Sequence, residues 1–115
     1  MPKFITIGYG DQGGYDRTPA PVLEAAHEQD AKLRSEGALM GIAGSPVQVR
    51  NPEATRLETR DGPFMASALP IAGFAVIKAV DLADAIEKVS RVPCAVVQCA
   101  VAHGVVEVWP LKSSL

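Results

Sequence analysis

With 115 residues, the chain has room for one domain, spanning 1–115, and can build a core without staples. Hydrophobic residues at 48% and charged residues at 21% exclude a disordered or low-complexity chain. Eleven Lys and Arg against thirteen Asp and Glu leave a net charge of −2, with no basic excess to neutralise a phosphate backbone, so nucleic acid is not an expected partner.

No apolar run approaches the ~20 residues that span a bilayer, so no membrane partner is expected. Met1-Pro2-Lys3-Phe4-Ile5 lacks the apolar region of a signal peptide. Cys94 and Cys99 lack the second Cys/His pair of a zinc site, even with His103 nearby. They read as small thiols kept reduced in the cytoplasm, with no metal and no cofactor implied.

In chain order, residues 3–9 alternate. Ile5, Ile7 and Tyr9 point one way and Phe4, Thr6 and Gly8 the other, which predicts a strand. Residues 10–21 are rich in Gly, Asp and Pro. Gly8, Gly10 and Gly13 meet the bare G-x-G-x-x-G spacing, but no helix is expected to open directly on it, so the run 8–14 reads as a flexible lid. Residues 19–36 predict a helix with Thr18 as N-cap, Val22, Ala26 and Leu33 in one apolar stripe, and Gly37 as the stop.

Residues 38–49 are extended in character, broken by Gly41, Gly44 and Pro46. Residues 54–60 alternate, with Thr55, Leu57 and Thr59 opposing Arg56, Glu58 and Arg60, which predicts an edge strand. Residues 72–80 predict a strand apolar on both faces. Asp81 then caps a helix through about Arg91, with Leu82, Ala85, Ile86 and Val89 as its apolar positions. Residues 95–102, between Pro93 and Gly104, read as a short helix, and 105–109 as a last strand closed by Pro110.

The order β-α-β-β(-β)-α-β is the α+β, ferredoxin-like pattern: an antiparallel sheet with both helices on one face. Two helices cover one face only. Residues 72–80 are nevertheless apolar on both, and Phe4 opposes Ile5 and Ile7. A bare apolar sheet face is a liability in a monomer, so a second copy over it, a homodimer, is expected. Folding back of 95–102 is the alternative cover.

At Asp61-Gly62-Pro63-Phe64 the chain resembles the DGPF-domain proteins, a branch of the YCII-related family. The resemblance includes Phe4–Gly10, a helix bearing His27, the Gly37…Gly41…Gly44 run and Gly73-Phe74-Ala75-Val76-Ile77. It continues through Asp81-Leu82…Ala85-Ile86 and Gly104–Pro110. It implies a dimeric α+β barrel, in which two ferredoxin-like units press their open sheet faces together. It also implies a pocket between helix and sheet and a His–Asp acid/base pair. Three features depart from it. Residues 65–70 carry no charge where relatives have Thr, Lys and Glu; Val92 replaces an Asp before Pro93; and Trp109 replaces an Arg before the final Pro.

His27 is the first candidate catalytic residue, because imidazole titrates near neutrality. On a helix Asp30 lies about 60° from it, and Arg34 follows Asp30 at i+4. Asp61 is the second, aimed from a tight turn; a carboxylate can hold an imidazole in one tautomer. Either Asp30 or Asp61 can be His27's partner. Tyr9, Asp30, Arg34 and Phe64 are candidate substrate-binding residues. The expected function is a small cofactor-free enzyme of the YCII-related type, with His27 and an Asp acting on a small polar organic substrate. The alternative is a non-catalytic dimeric module that binds a small ligand or a protein, linked to transcription regulation.

Overall fold

The computed structural model describes residues 1–65, 67–97 and 103–112. Its first strand, β1 (Lys3–Tyr9), alternates as the sequence requires: Phe4, Thr6 and Gly8 are buried and Ile5, Ile7 and Tyr9 only partly so. Two helices follow, α1 (Gln12–Arg17) and α2 (Ala20–Ser35). Next come β2 (Leu39–Ile42), β3 (Val47–Arg50), a 3-10 turn (Pro52–Ala54) and β4 (Glu58–Asp61). The chain continues through β5 (Ile71–Lys78), α3 (Leu82–Val89), α4 (Pro93–Val96) and β6 (Val105–Pro110).

Strands β2, β5, β1 and β6 form a four-stranded antiparallel sheet in that order. The first and penultimate strands lie at the centre and the other two at the edges, an α+β arrangement compatible with the ferredoxin-like pattern. Phe4 pairs with Ile77, Ile5 with Val76 and Trp109, and Leu39 also with Val76. One face carries Phe4, Ala75 and Ile77. It packs on Leu33 of α2, on Ala85 and Val89 of α3, and on Val92, and this is the core. Ile77 is its anchor at 1% exposure.

Local chemistry explains the helix ends. Asp81 accepts from the Asp84 N–H at 2.8 Å and starts α3 as expected. Gly37, at φ 97°, ends α2: its N–H donates to Arg34 O and the Ala38 N–H to Leu33 O, a Schellman motif. The run read as a flexible lid instead enters helix α1. Asp11 caps it by accepting from Gly14 N at 2.6 Å, so a helix does open within the glycine run. Thr18 does not cap α2. Its hydroxyl donates to Gly14 O and closes α1, while Pro19 occupies the N-cap of α2.

The expected strand over 54–60 is shorter and later. Glu53 and Ala54 adopt positive φ, 55° and 60°, within the 3-10 turn, and pairing begins only at Glu58. That strand pairs with β3 in a separate two-stranded ribbon, Val47 opposite Asp61 and Val49 opposite Thr59, rather than at the edge of the main sheet. The short helix expected over 95–102 begins earlier, at Pro93, and ends at Val96; residues 98–102 lie outside the described residues. His103 is exposed and forms an isolated bridge rather than sitting in a described helix.

Candidate functional site

Helix α2 buries Ala26, Gln29 and Leu33. One position on from each stand His27, Asp30 and Arg34, a polar stripe bordering the apolar one. The Gln29 Nε2 donates to Lys88 O at 2.6 Å and ties α2 to α3, which sets the rotation of that stripe. The stripe lines a cavity of about 770 Å³ between α1, α2, the sheet and α4. Its sheet wall includes Thr6, Gly8, Gly73 and Ala75, and Val89, Val92 and Val97 add an apolar side. The volume is in the range of small-molecule sites, and an apolar wall with a few convergent polar groups is their usual composition.

Tyr15 on α1 completes the polar end. Its hydroxyl lies 2.6 Å from His27 Nε2, with the two rings 5.8 Å apart and tilted by 58°. With its proton on Nδ1, the neutral imidazole accepts a hydrogen bond from the phenol O–H there; with its proton on Nε2, it donates one to the phenol oxygen. Asp30 is half-buried. Desolvation pushes its carboxyl above the usual range, and the charges of Arg34 and His27 offset this in part. The site therefore holds an imidazole with a phenol on one nitrogen, a carboxyl that keeps its proton more readily than most, and a guanidinium at the rim. Such a set can take and return a proton and can hold a polar or anionic group.

His27, Asp30 and Arg34 are thus brought together, and three other expected residues stand elsewhere. Tyr9 is on the opposite sheet face, because it shares the parity of Ile5 and Ile7. Its hydroxyl donates to Glu107 Oε1 at 2.6 Å, and that carboxylate raises the Tyr9 pKa. Asp61 and Phe64 belong to the β3–β4 ribbon and do not line the cavity. Asp61 is exposed, and among the described residues its side chain makes no hydrogen bond or ion pair. Phe64 is 73% exposed, with the Arg50 guanidinium 5.7 Å from its ring centre. Within one chain, Asp30 and not Asp61 is the carboxylate beside His27.

Tyr15 is the residue that the sequence reading passed over. Its signal was Asp11 followed by Gly14, an N-cap and the amide it binds, masked by the low helix propensity of Gly13-Gly14. Among the described residues no group of three or more His, Cys, Asp or Glu is placed to hold a metal ion. No helix among them is long and apolar enough to cross a membrane. Compared with known proteins, the chain matches no family model and no curated protein.

Proposed function

We propose that the cavity is the active site of a small acid/base enzyme of the DGPF or YCII-related kind, acting on a small polar organic substrate. The observation that carries this reading is the 2.6 Å approach of Tyr15 to His27 Nε2 at the polar end of a cavity otherwise walled by apolar side chains. A substrate entering there displaces the phenol from Nε2. It then meets a nitrogen that takes a proton and a hydroxyl that gives one. Asp30 serves as the Asp of the His–Asp pair, orienting the imidazole and stabilising its cation. Arg34 anchors a polar or negatively charged substrate group. The working unit in this reading is a homodimer formed by the open sheet faces, a dimeric α+β barrel; the apolar character of that face supports it.

The test is a fragment screen followed by NMR, with solvent-deuterium exchange into bound C–H acids as the activity readout. Carbonyl-bearing fragments should shift the His27, Tyr15 and Asp30 signals. Exchange should fall by about 10²-fold or more in His27→Gln, with fragment binding retained. Fragments that bind the cavity with no exchange in either protein would identify a non-catalytic binding module instead. Fragments that bind only elsewhere would overturn the site itself.

A further inference from the structure

The cavity beside His27 has two unlike ends. Tyr15, His27, Asp30 and Arg34 make one of them polar, while Met40, Val89, Val92, Val97 and Val106 line the rest with aliphatic groups. Met40 and Ile42 alternate along β2 opposite Ala75 and Gly73, so both stand on the helix side of the sheet. Ile42 also lines the cavity and is 93% exposed, which gives the opening an apolar lip.

A volume of about 770 Å³ lies well up the range of about 300–1,000 Å³ found for small-molecule sites. A water molecule held in a cavity needs roughly two to four polar partners, and the aliphatic side chains supply none. Water against that wall is readily displaced by an apolar group, whereas a substrate polar throughout leaves the wall unmatched. At the other end, Arg34 closes no ion pair among the described residues. Helix side chains lean toward the helix N-terminus, so Arg34 reaches back along α2, and its charge acts on Asp30.

We infer that the substrate is an oxo acid with an apolar side chain: its carboxylate on Arg34, its carbonyl beside Tyr15, and its chain against the aliphatic wall. This rests on the acid/base site proposed above and names its substrate class. A guanidinium holds a carboxylate by paired, charge-assisted hydrogen bonds. The phenol donates to the carbonyl oxygen and so eases loss of a proton from the neighbouring carbon, for which His27 is the base. The step needs no co-reactant. The C–H proton goes to His27, its electron pair becomes the C=C bond of the enol, the carbonyl oxygen takes the Tyr15 proton, and His27 hands a proton back to Tyr15. Burial of the chain supplies affinity in proportion to its length.

The experiment titrates straight-chain 2-oxo acids of four to eight carbons, and their primary amides, into full-length wild type, Arg34→Gln and Met40→Gln. Calorimetry reads affinity, and NMR reads deuterium exchange at C3 above the uncatalysed rate. In wild type, affinity should rise about fourfold for each added methylene. Arg34→Gln should weaken every acid at least about tenfold and leave the amides unchanged. Met40→Gln should weaken the eight-carbon acid at least about threefold and spare the four-carbon one. Affinity flat along the series, with exchange retained, would overturn this substrate class and leave the acid/base site standing. Amides that bind as tightly as the acids would overturn the carboxylate on Arg34 and with it the class. Affinity that rises but ignores both substitutions would place the acids elsewhere and overturn it too, as would no binding by any member. Long acids held in the cavity without exchange would keep the ligand class and overturn the acid/base enzyme.

Discussion

Asp30 and Asp84 pull stability in opposite directions with pH. Burial raises the Asp30 pKa, so the folded chain holds that proton more tightly than the unfolded one. Stability from this group falls as pH rises from the ordinary carboxylate value through the raised one. Asp30→Asn is therefore expected to melt at or above wild type at neutral pH. The gap should close below the carboxylate range in thermal scans across pH. A variant that melts below wild type at pH 7 would show that the Asp30 charge supports the fold. Asp84 behaves conversely: its pKa is lowered, first by the Val80 N–H donating to it, so its contribution is lost as pH falls through that depressed value. Gly8 shows a tighter constraint, because a Cβ there would come within 2.7 Å of Cys94 Sγ. Gly8→Ala should cost about 1–3 kcal/mol in denaturant unfolding, and Cys94→Ala should restore part of it.

At the scale of elements, α3 is short and depends on its cap. Asp81→Ala removes the acceptor for the Asp84 N–H and should cost about 1 kcal/mol by urea denaturation. An unchanged midpoint would mean that packing of Ala85 and Val89 alone starts the helix. The α3 cap, the Gly37 stop and the alternation of β1 were all legible, since each depends on neighbours within a few residues. The start of α1 and the exact extent of β4 were not. Gly13-Gly14 argues against a helix by propensity, and it forms because Asp11 and Thr18 close its two ends. The alternation of 54–60 signals a strand, but a period of two says nothing of which strand it pairs with.

For the whole molecule, the side of the sheet opposite the helices leaves Leu39 and Trp109 more than half exposed. If that face is shared between two copies, folding and association are linked, and the melting temperature should rise with protein concentration. A melting temperature independent of concentration would assign the face to another role. The same scale explains why Asp61 and His27 do not meet within a chain: the ribbon carrying Asp61 is a separate sheet, while His27 stands on the helix layer.

The sequence by itself determined the α+β class, the two-residue alternation of the first strand, and the placing of His27, Asp30 and Arg34 on one stripe. These follow from periods of 2.0 and 3.6 residues and from caps that act over three or four positions. Only the tertiary structure decided that Tyr15 comes to His27, that Tyr9 turns to Glu107 on the opposite face, and that Asp61 and Phe64 leave the site with the ribbon. Each of those outcomes depends on contacts or pairing between separate segments of the chain. Such choices are made by packing, through the volumes and polar groups that must fit together, and not by any local pattern.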